Sequence, residues 1–336
     1  MKLKVNVVSQ IPPFIWDREL PQNLPWHFFH SAEPEPADIH VIYGIRSKLL
    51  IPNKLGNVVF VASEPPEIRK YNARVLRRYG HVLGPSYEYL SGLANFSAIT
   101  AIAPWWVGVK AGGQHHYESA DGTVNMDRRF LENGVNPQHD IVTAVVSQKA
   151  RTPLQEQRLR LVDYLQARLE VFEVFGLGSR QVEDKADVLR TNRYHLAVEN
   201  SCHAGYWTEK LADPVLMNNV VFYAGHASAS EYFANDSVRP IQPWDPEATY
   251  RAISVALENH AWHDTTQSRL LNRQVLLGRL SFHREVSRFL SRHEWKPSGR
   301  NFVSIPAQHR GKWMTNLSDP LYRLVSRSSG NARGGE

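Results

Sequence analysis

The chain has 336 residues, of which 42% are hydrophobic and 21% charged, and its net charge is +6. This composition is that of a globular protein, and the length predicts about two domains that bury a core without disulfide or metal staples. Cys202 is the single cysteine, so an intramolecular disulfide is excluded and a reducing compartment is expected.

The first ten residues lack the apolar region of a signal peptide, and no run has the length of a membrane helix. We therefore expect a cytoplasmic protein. The positive charge fits an anionic ligand, or a peripheral contact with the inner face of a membrane, as well as it fits plain solubility.

In the first part of the chain, short apolar runs rich in β-branched residues alternate with segments that predict a helix or a loop. Strands are predicted at residues 3–8, 38–44 and 57–63, and a helix at 67–79. The Gly-, Asn- and His-rich residues 109–138 predict a loop that also serves as the interdomain linker.

A second alternation begins at Asp140. Thr152, Pro153 and Gln155 form a capping-box signature at a helix start, and Asp245 marks another start. The remaining predictions are strands at 141–147, 171–176, 194–200 and 219–225, and one long helix at 265–292.

Two successive series of alternating strands and helices predict an α/β protein with two doubly wound sheets. We divide the chain into an N-terminal acceptor-side domain with linker at 1–139, a donor domain at 140–300, and an extension at 301–336. The end of the extension is polar and Gly-rich and is expected to be disordered.

The most informative segment is YHLAVENSCHAGYWTEK, which starts at Tyr194 and ends at Lys210. Thr208 is a good N-cap, so Glu209 and Lys210 would occupy the first turn of a helix. Helix N-termini attract phosphate, a Lys adds positive charge, and a carboxylate suits a diol such as ribose. The combination fits a nucleotide, although a first-turn Glu and an exposed Lys also occur in ordinary helices.

The pattern ENS-x4-Y-x-TEK, preceded by Arg193 and Tyr194, resembles the donor-binding signature of the α1,3/4-fucosyltransferase family, glycosyltransferase family 10. The resemblance is best over residues 141–241. It implies the GT-B type of fold, in which two Rossmann-like doubly wound domains face a cleft. It also implies inverting transfer of fucose from GDP-fucose to a hydroxyl of an oligosaccharide or glycolipid acceptor, with no metal and no other cofactor. No nucleic acid partner is expected, because Lys, Arg and aromatic residues do not interleave in one groove-like segment.

The resemblance implies roles for single residues. Asn200 and Tyr206 would contact the diphosphate or its sugar, Glu209 would hold the ribose hydroxyls, and Lys210 would neutralise the diphosphate. Ser147 stands where the family often has Ser-Asn and would face the nucleotide.

Arg158 fits the position of an Arg that the family places on the first helix of its donor domain. It also lies on the apolar stripe of its predicted helix, between Leu154 and Leu161. A charge on that face needs either a partner, such as a diphosphate, or a route by which its head reaches solvent.

Glu64 is the candidate catalytic base. The family's base is a Glu in an ESP-type motif at the end of an N-terminal-domain strand, and here residues 57–63 run into Glu64-Pro65-Pro66, with Pro65 in place of Ser. A surface carboxylate before a Pro turn is the alternative, in which case Glu67 either starts the next helix or is itself the base.

No Asp-x-Asp motif occurs, and neither His115 with His116 nor His27 with His30 makes a convincing metal-ligand set. No metal site is therefore predicted. Two other functions stay open: a transferase of the same scaffold that uses another nucleotide sugar, and a non-catalytic basic carbohydrate- or nucleic-acid-binding protein. The arginines of the long helix would face either solvent or an acidic acceptor or lipid surface; they are Arg269, Arg273, Arg279, Arg284, Arg288 and Arg292.

Overall fold

The computed structural model describes residues 2–45, 47–111, 117–119, 135–176, 180–295 and 302–308. Most of the predicted linker and the whole predicted disordered tail lie outside these ranges, as do His115 and His116.

The N-terminal half contains a six-stranded, all-parallel sheet. Its strands, together with the short β4, are β1 (Lys4–Val8), β2 (His27–Ser31), β3 (Ile39–Tyr43), β4 (Leu49–Ile51), β5 (Val58–Val61), β6 (His81–Gly84) and β7 (Phe96–Ala98). The order is β2-β1-β3-β5-β6-β7. The chain therefore adds β2 on one side of β1, and β3, β5, β6 and β7 on the other. The helices are α1 (Pro13–Asp17), α2 (Ala73–Leu76) and α3 (Glu88–Ser91), with a 3-10 turn at Leu55–Asn57.

The helix predicted at 67–79 is wrong except for α2. The N–H groups of Ile68 and Arg69 donate to the carbonyl of Pro65, which closes a turn rather than a helix. Asn72 then starts α2, because its side chain accepts a hydrogen bond from the Arg74 N–H.

Buried carboxylates hold the crossing from the first half to the second. Glu19 accepts from the Trp105 N–H at 2.6 Å, Asp213 from Trp106 at 2.9 Å, and Asp184 from Gly108 at 2.9 Å. The chain then forms the antiparallel pair β8 (Val109–Ala111) and β9 (Tyr117–Ser119).

The second half contains a five-stranded parallel sheet with the order β11-β10-β12-β13-β14. Its strands are β10 (His139–Val145), β11 (Phe172–Phe175), β12 (Asn192–Val198), β13 (Val220–Ala224) and β14 (Val238–Pro240). Its helices are α4 (Pro153–Gln166), α5 (Lys185–Leu189), α6 (Glu209–Leu216), α7 (Pro246–Glu258), α8 (Ala261–Asp264) and α9 (Thr266–Gly278), with a 3-10 turn at Ala227–Glu231. The predicted caps Thr152, Thr208 and Asp245 are confirmed.

Helices cover both faces of this sheet. Alternate residues of β12 point to opposite sides, so Tyr194 and Leu196 join the apolar layer under α4 and α7, while Ala197 joins the layer under α6 and α9. The predicted doubly wound α/β fold is therefore confirmed.

The predicted helix at 265–292 is two helices, α9 and α10 (Phe282–Leu290). Ser281 starts α10, because its hydroxyl accepts from the Arg284 N–H at 3.4 Å. Phe282 and Val286 of α10 pack into the core of the N-terminal half. The strand β15 (Val303–Ile305) also returns there and pairs with β4, so the end of the described chain belongs physically to the first half.

Candidate active site

The strand order of the second sheet indicates where a ligand-binding crevice lies. The chain leaves β10 for α4 and leaves β12 for α6, and β10 and β12 are neighbours whose connections run to opposite sides. Ligands of doubly wound sheets bind at this switch point, beyond the carboxyl ends of the strands. Ser147 and Lys149 follow β10, while Glu199 and Asn200 follow β12.

The start of α6 is anchored by a buried carboxylate. Glu199 is fully buried, and its two oxygens accept from the N–H and the hydroxyl of Thr208, both at 2.8 Å. The Thr208 hydroxyl in turn accepts from the N–H of Lys210 at 3.3 Å. The strand end is thus bonded to the helix start, which fixes the direction of the first turn.

Charges of both signs meet in that first turn. The ammonium of Lys210 lies 3.1 Å from Glu209 and 3.7 Å from Glu199. Burial alone would raise the pKa of Glu209, but the positive charges of Lys210 and Lys185 outweigh burial and lower it to about 2. Burial raises the pKa of Glu199, with Lys210 opposing the shift. Lys210 is therefore held as a cation between two carboxylates.

Arg158 is brought to the same place. It is 4% exposed, so the alternative in which its head reaches solvent is wrong. One amino group donates to the carbonyls of Ser147 at 2.9 Å and Lys149 at 3.1 Å, whereas its buried Nε has no hydrogen-bond partner among the described residues. Burial lowers the pKa of Arg158 to about 10, and Glu199 opposes this. Arg158, Glu209 and Lys210 line one cavity of about 20 Å³.

The other three predicted donor-site residues, Asn200, Ser147 and Tyr206, lie in different surroundings. The side-chain oxygen of Asn200 accepts from Gln155 at 3.0 Å, at the start of α4. The carbonyl of Ser147 holds Arg158, as above. Tyr206 is 3% exposed and packs with the core of the N-terminal half, with its ring 6.3 Å from that of Tyr87. Contact of these three residues with a nucleotide stays a prediction.

Glu64 faces this cluster from the N-terminal half. It is half-buried, three residues past the end of β5. Burial lowers the pKa of Lys149 to about 8; the charges of Arg151 and Lys210 add to the shift and that of Glu64 opposes it. Burial also raises the pKa of Tyr206, with Glu199 and Glu64 both contributing. Glu64 therefore lies within electrostatic reach of the residues that follow β10 and β12.

Sequence reasoning missed Glu199, Lys149 and Lys185. Glu199 was visible as a charge that directly ends an apolar strand, which is a costly place unless it is paired. Lys149 follows β10 by four residues, in the loop that the switch-point rule favours. Lys185 gave no signal: it reaches Glu209 at 3.9 Å and Asp213 at 3.1 Å only through the fold.

Two arginines of the predicted basic helix contradict both proposed roles. Arg269 and Arg273 are 2% and 5% exposed, so they face neither solvent nor an acidic acceptor or lipid surface. Arg269 donates to the carbonyls of Asn218 and Trp262, and its guanidinium lies 4.0 Å from the Trp262 ring. Arg269 therefore has a structural role, in which it joins these two carbonyls and packs on the Trp262 ring.

His30 is not arranged for a metal. Its ring nitrogens lie 2.6 Å from Asp17 and 2.9 Å from His283. Within the described ranges, no group of three or more His, Cys, Asp or Glu side chains is placed to hold a metal ion.

Residues 135–242 match the sequence model of glycosyltransferase family 10 (fucosyltransferase), C-terminal part. The match covers 108 of the 336 residues, all in the second half of the chain, and it supports the resemblance found in the sequence. No curated protein matches the chain.

Solved structures give the same fold. An α1,3-fucosyltransferase with GDP has a TM-score of 0.51 at 16% identity, covering 86% of this chain and 89% of that one. Another structure of an α1,3-fucosyltransferase has a TM-score of 0.50 at 15% identity, covering 90% of this chain and 93% of that one. The predicted GT-B fold is confirmed, and the matched segment supports the prediction of a glycosyltransferase. Across the described ranges, the helices are all too short or too polar to cross a membrane.

Proposed function

We propose that the protein transfers fucose from GDP-fucose to a hydroxyl of an oligosaccharide or glycolipid acceptor, with inversion and without a metal ion. One observation carries this proposal: Lys210, Arg158 and Lys149 converge at the switch point of the second sheet, within electrostatic reach of Glu64 on the first. The match to the fucosyltransferase family supports the identity of the sugar. The exposed Cys202 suits a reducing compartment, and we place the reaction in the cytoplasm.

The charges suit the leaving group of such a reaction. A departing diphosphate gains negative charge as its bond to the sugar breaks, and fixed cations stabilise that charge. Among the residues that the structure describes, the buried Nε of Arg158 has no acceptor, and a bound anion would supply one. In this scheme the nucleotide lies in the cleft, beside these residues.

Glu64 acts as the base in this scheme. Its carboxylate accepts the proton of the acceptor hydroxyl, the hydroxyl oxygen bonds to the anomeric carbon of the sugar, and the bond from that carbon to the phosphate oxygen breaks. The electron pair leaves with GDP. A single displacement inverts the configuration at the anomeric carbon.

The test is GDP release in the presence of EDTA, from a panel of GDP- and UDP-sugars supplied with oligosaccharide acceptors. We expect release from GDP-fucose. Replacing Glu64→Gln should reduce turnover by about 100-fold or more while GDP still binds, since a general base contributes 10²–10⁴-fold. Glu88→Gln, at an exposed carboxylate of the same half, is the control. A chain that does not bind GDP would overturn the proposal, and release from another sugar nucleotide alone would change the donor.

A further inference from the structure

The loop of residues 201–205, called here the donor loop, joins Asn200 to Tyr206 and receives contacts from the N-terminal half. The Ser86 N–H donates to the carbonyl of Ala204 at 3.0 Å, and the Thr100 hydroxyl donates to that of Gly205 at 2.8 Å. Gly205 has φ +75°, a conformation that favours glycine. The path of this donor-domain loop is therefore set in part by the opposite domain.

Glu67 makes the side-chain part of that contact. The Ser201 hydroxyl donates to one carboxylate oxygen at 2.9 Å, and His203 Nε2 lies 3.0 Å from both oxygens. Burial would raise the pKa of Glu67, but the hydrogen bonds from His203 and Ser201 outweigh burial and lower it. Two donors from one loop thus converge on a single ionised carboxylate.

Glu67 lies in the turn that directly follows the candidate base. The carbonyl of Pro65, the residue after Glu64, accepts from the N–H groups of Ile68 and Arg69 at 2.9 and 2.8 Å, so residues 65–69 close a turn that includes Glu67. Because Glu64 is bonded to the first residue of this turn, a displacement of the turn by the donor loop also displaces Glu64. The carboxylate of Glu67 is already engaged by the donor loop, which argues against its use as the base.

We propose that Glu67 is a positioning residue, which holds the donor loop against the turn that follows Glu64 so that the bound donor and the base are correctly placed. This inference rests on the proposed function. Enzymes lose rate steeply when reacting groups are displaced by about 1 Å. Glu67 itself touches neither substrate nor the reacting atoms.

The test compares Glu67→Ala, Glu67→Gln, His203→Ala and the double variant Glu67→Ala/His203→Ala, with Glu88→Ala as the control. We expect Glu67→Ala to raise KM for GDP-fucose and to lower kcat, each by about tenfold, with an unchanged melting temperature. Glu67→Gln should recover part of both losses, since its amide oxygen still accepts a hydrogen bond. The double variant should be no worse than the single ones, because both remove one interaction. Hydrogen exchange of residues 199–207 without ligand should be faster in Glu67→Ala than in Glu88→Ala.

The outcomes separate the two proposals. If the unaltered chain turns over GDP-fucose but Glu67→Ala keeps its KM and its exchange rates, the positioning role is wrong and the proposed function stands. A fall in kcat and melting temperature with no change in KM would make Glu67 an ordinary stabilising residue and also overturn the inference. If the unaltered chain does not bind GDP, both proposals fail.

Discussion

At the scale of the residue, the site is a set of buried charges that only partly compensate one another. Lys210 lies between Glu199 and Glu209, so its charge is balanced within the protein. Arg158 instead donates to two neutral carbonyls, and its Nε has no acceptor in the part of the chain that the structure describes. A buried guanidinium that lacks a carboxylate partner at hydrogen-bond distance is costly in the empty protein and useful when an anion binds.

We expect Arg158→Gln to weaken GDP binding by about 10- to 100-fold, because a hydrogen bond to a charged group contributes about 1.5–3 kcal/mol. Titration calorimetry measures the affinity. Arg160→Gln is the matched control, since Arg160 lies on the same helix and is exposed. Equal affinities of the two variants would show that Arg158 has no part in the donor site.

Lys149 leads to a prediction about pH. Its pKa in the free protein is about 8, and a bound diphosphate favours the protonated form. Above pH 8, binding must take up a proton, so GDP affinity should fall as pH rises from 7 to 9. In Lys149→Arg, where the charge is permanent, the fall should be much smaller. Lys54→Arg, at an exposed position, controls for the substitution. A pH dependence identical in all three proteins would exclude Lys149 from the site.

At the scale of the element, the sequence predicted what local patterns determine. Residues 194–200 were correctly predicted as a strand that precedes a capped helix. Both signals are local: an apolar run marks the strand, and the side chain of Thr208 caps the helix. Helix α6 continues past Pro214 to Leu216, since buried contacts on both sides of the proline outweigh its missing N–H. The break between α9 and α10 was missed, although Gly278 and Ser281 are the usual signals of a helix end and start.

The position of Glu67 against Ser201 and His203 could not be read from the sequence. The residues are 134 and 136 positions apart, and no local pattern records which loops meet across two domains. The same holds for Lys185 and Glu209. The candidate site was therefore predictable on the strand–loop–helix that carries the family signature, and not where the two halves face each other.

Replacing Thr208→Ala tests the anchoring of α6. The change removes an N-cap, which costs about 1 kcal/mol, and takes one hydrogen-bond donor from the buried carboxylate of Glu199. We expect the free energy of unfolding to fall by about 2–3 kcal/mol in urea. Thr208→Ser keeps the hydroxyl and should lose far less. If the two variants are equally stable, the hydroxyl does not anchor the helix.

At the scale of the whole molecule, the two halves are not independent units in chain order. Helix α10 follows the second sheet along the chain but packs into the core of the first half. There the ring of Phe282 lies 4.7 Å from that of Trp16 and 5.6 Å from that of Tyr43. Within the described ranges, the chain therefore crosses between the halves near residue 105 and again near residue 280. Two crossings restrict how the cleft can open more than one linker would.

This double crossing predicts the effect of Phe282→Ala. Phe282 is fully buried, so its truncation should cost about 3–5 kcal/mol. Because its contacts lie in the first half, hydrogen exchange should accelerate in β1 and β3 and much less in β12 and β13. Leu271→Ala, at a 53% exposed position of α9, is the control and should change neither. Equal acceleration in both sheets would mean that the halves unfold as one unit and that α10 stabilises them together. No acceleration in β1 and β3 would mean that α10 is dispensable for the stability of the first half.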